Sequence, residues 1–224
     1  EKDALVGVSM TGIASGAVLG LDLQAASNVA MEENSRVAEL IGTKKAARVT
    51  CVKPAGTTSL ALGTSSGIHA WHNEHYVRRI RVGKNEAIYT HLAVNHPDLV
   101  EDEFFRPHDT AVISVPQKSP EGAITRAETA LDMLERVKKV SKEWVRTGHR
   151  QGQNTHNVSA TISVRDGDWE QVGEWMWENR NCYNGLAVLI ESLENVDLTK
   201  VVEFEDNTNL TGELACSGGS CEVK

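Results

Sequence analysis

The sequence contains no apolar run approaching the roughly 18 uninterrupted residues of a membrane span, so a membrane-spanning or membrane-binding protein is not expected. Its start lacks the basic, apolar and small-residue succession of a secretory signal peptide, which leaves a cytoplasmic location as the expectation. Basic stripes are missing too. The 23 Lys and Arg stand against 31 Asp and Glu, a formal charge of -8, and without a basic face the phosphates of a duplex go unbalanced, so direct DNA binding is not expected. The acid excess is local: between Glu191 and Glu213 seven acids meet Lys200 alone, and the rest of the chain is nearly neutral. A local pocket for a small polyanion is compatible with that balance. Only four cysteines occur, Cys51, Cys182, Cys216 and Cys221, which points to redox or metal chemistry before a structural disulfide framework. No internal repeat is present.

What is there suffices for a folded domain. With 224 residues, 40% of them hydrophobic, the chain can bury a substantial core. Glu1 stands where a methionine would start a natural chain, and an apolar, Gly-containing run (Leu5 to Gly20) follows at once, as in a piece of something longer. The spacing of Ala26, Ala30, Val37 and Ile41 predicts a helix over 23–41 that Gly42 ends. Arg48 to Lys53 is β-prone and stops at Pro54; Val77 to Val82 and Thr110 to Val115 also read as strands, the latter closed by Pro116, with a helix from Asn85 to Val94 between them. The strongest helical pattern is Ala127 to Arg146, preceded by a capping box of Thr125 and Glu128 and followed by Gly148. Val158 to Val164 alternates like a strand, Asp168 to Asn179 reads as a helix with Asp168 as its N-cap and Gln171 at N3, and Leu186 to Ile190 is a short apolar strand. Strands alternating with helices predict an α/β fold with largely buried strands over 1–190, and 191–224 reads as an acidic linker and flexible tail.

Two segments carry chemistry. Val52-Lys53-Pro54-Ala55-Gly56-Thr57-Thr58-Ser59 leads from a strand through a tight turn into a Thr/Ser-rich helix start, where unpaired backbone N–H groups can hold an anion, Gly56 permits close approach and the hydroxyls add donors. An ordinary strand-to-helix connection fits the same residues. Cys216 and Cys221 are separated by Ser217-Gly218-Gly219-Ser220 close to the end of the chain, a spacing that lets the thiols meet as an exchangeable disulfide; an inert terminus or half of a zinc site are the alternatives. Cys51, inside an apolar strand, reads as a buried inert thiol, and Cys182 has no helper in sequence. His69, His72 and His75 recur every third residue and fit a loop rim as well as a metal site. Arg78, Arg79 and Arg81 can complement a triphosphate or form surface ion pairs. His149, Arg150 and His156 flank a polar loop leading into a strand, while Trp169, Trp175 and Trp177 read as core and rim packing.

The run Lys53-Pro54-Ala55-Gly56-Thr57-Thr58-Ser59-Leu60, continued by Gly63-Thr64-Ser65-Ser66-Gly67-Ile68-His69, resembles a signature of the ribonucleotide reductase large chain. Gly7-Val8-Ser9-Met10-Thr11-Gly12, Thr155 to Thr161 and Tyr183-Asn184-Gly185-Leu186 resemble other segments of that family in the same order, so the resemblance covers nearly the whole chain. It implies a ten-stranded α/β barrel of which this chain supplies the C-terminal part. It also implies that Pro54, Ala55, Gly56, Thr57, Thr58 and Ser59 hold the phosphates of a ribonucleoside di- or triphosphate, with His69 and His156 as candidate substrate or cofactor contacts. Cys216 and Cys221 would then be the shuttle that re-reduces the active-site disulfide and is itself reduced by a thioredoxin-like partner.

The radical cysteine of the family is expected in an Asn-x-Cys-x-Glu segment, which this sequence does not contain, so the N-terminal part of the reductase is an expected partner and the chain alone is expected to be inactive. Tyr183 stands alone where iron-dependent large chains carry a Tyr-Tyr relay, and its context is similar to adenosylcobalamin-dependent enzymes, making adenosylcobalamin the expected cofactor and no protein-bound metal expected. An iron-subunit-dependent large chain, a non-catalytic phosphate-binding module and a free-standing thiol-disulfide protein are the competing readings.

Overall fold

The computed structural model describes residues 4–190; the acidic linker and both tail cysteines, Cys216 and Cys221, lie outside the described residues. Strand β1 (Leu5–Ser9) runs parallel to β2 (Arg48–Cys51), and the 18-residue helix α1 (Leu23–Leu40) makes the crossover between them. Asp22 caps α1 by accepting from Ala25 N at 2.9 Å, and beyond its end Thr43 N donates to Ala38 O while Gly42 N donates to Glu39 O, so the helix stops where Gly42 predicts. The buried stripe is not the expected one. Leu23, Ser27 and Ala38 are buried, Ala30 and Val37 of the expected stripe are half-buried, and Ala26 and Ile41 are exposed; Ser27 Oγ donates to the buried carbonyl of Trp144 at 2.9 Å and helps fix which side of α1 packs.

Strand β2 continues at Val52 into a parallel bridge with Val158, leading to β6 (Thr161–Val164), which pairs in parallel with β7 (Ala187–Ile190). Four parallel segments therefore lie side by side in the order β1, β2, β6, β7. Helix α4 (Ala130–Val140), extended by a π-turn over Ser141–Val145, packs Leu134, Val137, Val140 and Trp144 onto this layer in one core with Val52, Val158, Ile162 and Val164. The helix starts later than its apolar pattern predicts. Its capping box is Thr129 with Asp132, because Thr125 is held in a bridge with Trp71 and Glu128 is engaged by Arg136. Helix α5 (Trp169–Glu178) follows β6; Asp168 stands at its N-cap without making the expected side-chain bond.

An antiparallel sheet is inserted between these elements. It has the order β3 (His75–Gly83), β5 (Thr110–Lys118), β4 (Val100–Asp102), and α3 (Ala87–Asn95) lies between β3 and β4 in the chain. Pro116 does not end β5, contrary to expectation. β4 reaches only as far as Ile113, so β5 has a single neighbour at Pro116, where a residue without an N–H is tolerated.

The expectation of buried strands holds in the centre and fails at both flanks. Val49 and Thr50 on β2 and Ile162 and Val164 on β6 are fully buried, whereas Leu5 on β1 and Leu189 on β7 are 51% and 53% exposed. The described residues form a mixed α/β fold. Among these residues no helix is long and apolar enough to cross a membrane.

Candidate functional site

Beyond β2 the chain turns at Pro54 and Ala55 into the short helix α2 (Thr57–Ala61). Gly56 sits at φ 50°, ψ -123°, a backbone conformation that side chains with a Cβ rarely adopt, which is why glycine stands there. The N–H groups of Ala55 and Gly56 both point at Ser66 Oγ, at 3.0 and 3.3 Å, and Ser59 Oγ donates to Gly56 O at 2.6 Å. Ser59 and Ser66 thus shape the loop from below. Thr58 is exposed on it. Helix α2 is too short for much of a dipole, so any anion affinity rests on the loop's backbone and hydroxyls.

The family-like segments, scattered over most of the sequence, meet at this loop. Thr11 Oγ1 donates to Ser65 O and accepts from Gly67 N, both at 2.9 Å, while Gly12 N donates to Ser65 O and Lys53 N to Ser9 Oγ. Gly67, at φ 57°, lies so close to the loop that a Cβ would stand 2.8 Å from Lys53 O. From the other side Asn184 Nδ2 donates to Thr155 O and Asn157 Nδ2 to Gly185 O. The phosphate-loop candidate is therefore braced directly by Ser9 and Thr11 and, through His69, by Thr161, while Asn184 and Gly185 are tied to the Thr155–Thr161 segment.

His69 belongs to this bracing. Its Nε2 accepts from Thr161 N at 3.0 Å, so the ring proton sits on Nδ1 and is donated to Ser66 O at 3.1 Å. Burial pushes its pKa below the ordinary histidine value, against the pull of the Ser66 carbonyl, and the Arg136 and Arg126 charges push the same way. The result is a neutral imidazole tying the loop to β6. His156 lies elsewhere, with Nδ1 3.2 Å from Thr50 O, and it does not line the cleft described next. Arg150 is also structural, donating to Ala46 O and Ser35 Oγ. Cys51 is buried, which pushes its thiol pKa up, as an inert thiol requires. Tyr183 stacks on Trp175 and donates its hydroxyl to Met176 O at 2.9 Å.

Above the loop opens a cleft of about 630 Å³, walled by Gly56 and Ser59, by Ser65 and Ser66, by His69, by the start of β3 and by the residues before α4. Alternation along β3 sorts its arginines. Arg79 and Arg81 pair with Glu101 and Glu103 across the antiparallel sheet, while Arg78, on the opposite side of the strand with Tyr76, lines the cleft. Arg126 lines it as well; its place is set by the backbone bonds between Trp71 and Ile124 and between Arg126 and Trp71. Sequence reasoning missed Arg126, which sits in no motif and reaches the cleft only through that bridge. Among the described residues the one acid in the wall, Glu128, is held by a two-pronged pair to buried Arg136, at 2.6 Å on both prongs, and Arg136 Nε also bonds Ile68 O. The cleft is consequently basic in a chain that is acidic overall.

No family model matches the sequence. In a search of curated proteins the chain is 29% identical over 140 residues to a probable adenosylcobalamin-dependent ribonucleoside-triphosphate reductase of Dictyostelium discoideum; the match covers 59% of this chain and 16% of that protein. Among solved structures it superposes on a B12-dependent (class II) ribonucleotide reductase with a TM-score of 0.67 at 17% identity, over 84% of this chain and 30% of that one, a likeness of fold. The chain thus spans only a small part of the length of the reductases it matches. In sequence the chain is similar to a reductase named as adenosylcobalamin-dependent, and in fold to a B12-dependent ribonucleotide reductase.

Proposed function

We propose that this chain is the C-terminal part of a ribonucleotide reductase and that residues Pro54 to Ser59 form its substrate-phosphate loop. The observation that carries the reading is that Ser9 and Thr11 bond directly to the loop run, Thr161 reaches it through His69 and Asn184 is tied to Thr155, with a basic, hydroxyl-lined cleft directly above the loop. In such an enzyme the 2' hydroxyl of a ribonucleotide leaves as water while two thiols become a disulfide. The loop's task is to fix the phosphates so that the ribose meets the radical cysteine, which would come from the N-terminal part of the reductase. The relative named as a triphosphate reductase makes a ribonucleoside triphosphate the favoured substrate.

The tail follows from the same reading. Cys216 and Cys221 would carry electron pairs from a thioredoxin-like reductant to the active-site disulfide by thiol exchange. Adenosylcobalamin dependence is proposed for the whole reductase. The cleft itself does not fit a corrin, since its wall of arginine, hydroxyl and imidazole groups suits phosphates and it is too small for so large a macrocycle, so no step is assigned to the cofactor at these residues.

The test is nucleotide reduction by the full-length reductase carrying this segment, comparing wild type with Gly56→Ala. Glycine is the residue suited to φ 50°, so the variant should raise KM for nucleotide about tenfold or more, the loss of ~1.4 kcal/mol of binding. An unchanged KM would remove the loop from the substrate site.

A further inference from the structure

Resting on the reading of the loop as the substrate's phosphate anchor, we infer that Arg78, Arg126 and Ser65 form a separate subsite in the same cleft that takes the outermost phosphate and selects triphosphates over diphosphates. Three observations carry it. Ser65 is 5% exposed, lines the cleft and has no hydrogen-bond partner for its hydroxyl, a costly state for a buried polar group. Arg78 Nε is likewise buried and unpartnered; its guanidinium lies over the Tyr76 ring at 6.0 Å, a contact that orients it without using its N–H groups. Arg126 makes no side-chain hydrogen bond or ion pair with the described residues.

Charge bookkeeping points the same way. Glu128, the acid that would otherwise neutralise these arginines, is committed to Arg136, whose side chain is 5% exposed. Arg78 and Arg126, which line this space together with Arg165, and the Ser65 hydroxyl need an acceptor-rich anion, and a terminal phosphoryl group offers three oxygens and the higher charge. The inner phosphates are left to the loop. The structure therefore divides the recognition of one polyphosphate between a neutral backbone-and-hydroxyl site, which any nucleotide can use, and a cationic site that only the longer chain reaches.

The experiment compares KM for a ribonucleoside triphosphate and for the matching diphosphate in the full-length reductase. Arg126→Gln and Arg78→Gln should each raise the triphosphate KM about tenfold and leave the diphosphate KM and kcat nearly unchanged, and Arg126→Lys should recover part of the loss. Inorganic tripolyphosphate should compete with substrate better than pyrophosphate in the wild type, and that preference should vanish in Arg126→Gln. Arg126 is exposed, so its variant is not expected to disturb folding. Equal changes for both nucleotides, or none for either, would overturn the subsite. Gly56→Ala serves as the companion: it should weaken both nucleotides, and if it weakens neither while the arginine variants remain selective, the loop reading falls and the subsite stands.

Discussion

The core beneath α4 and the cleft above it treat buried polar groups in opposite ways. Below, such groups are matched to one another: Thr50 Oγ1 and Ser27 Oγ both donate to Trp144 O, Trp144 Nε1 donates to Cys51 O at 2.9 Å, and Arg136 closes on Glu128 with two bonds. Above, Ser65 Oγ and Arg78 Nε are buried and unmatched. Arg48 Nε, His149 Nδ1 and Asn157 Oδ1 are unmatched too, outside the cleft; what sets Ser65 and Arg78 apart is that both line one open space, where a ligand can satisfy them. That contrast separates residues that hold the fold from residues that meet a ligand.

The sharpest way to break the contrast is to unmatch the core. Glu128→Gln leaves Arg136 charged, buried and uncompensated, and should destabilise the reductase by about 3–5 kcal/mol, seen as a lowered thermal midpoint. A smaller loss follows from Gly148→Ala. Its Cβ would stand 1.9 Å from Thr50 Oγ1 and displace the bond to Trp144 O, at a cost of about 1–3 kcal/mol by the same assay.

Acid should loosen the seam between the two layers. The native pKa of His69 lies below its unfolded value, so its contribution is complete above the unfolded value of about 6.5 and is lost as pH falls from there toward the native value. A protonated ring cannot accept from Thr161 N. Hydrogen-exchange protection of that amide, corrected for the intrinsic pH dependence, should therefore drop as pH falls through the lowered native value, and constant protection there would contradict the assigned tautomer. The smallest effect belongs to the cleft. Ser65→Ala removes a group that has no partner, so stability should change by less than about 0.5 kcal/mol while the triphosphate KM rises.

The sequence disclosed the loop more fully than the cleft. Pro54 to Ser59, Gly42 and the strand cores were legible because each is a local signal: a turn residue, a helix stop or an alternation. The helix α4 start was misplaced because Thr125-x-x-Glu128 and Thr129-x-x-Asp132 are equally good caps on paper, and only the Trp71 bridge and the Arg136 pair decide between them. Arg78 could not be told from Arg79 and Arg81 until the register placed Glu101 opposite Val112 and Glu103 beside Thr110, where they pair with Arg79 and Arg81 and leave one arginine on the cleft side. Burial of β1 and β7 was expected from their apolar content, and among the described residues they remain uncovered.

The most direct test of the account is nucleotide reduction by the full-length reductase, with and without adenosylcobalamin, in wild type and in the Cys216→Ser, Cys221→Ser double variant. The account predicts cobalamin-dependent formation of deoxyribonucleotide that collapses in the double variant when a thioredoxin system supplies electrons and survives when a small dithiol does. Absence of turnover in a folded, nucleotide-binding wild type would contradict it.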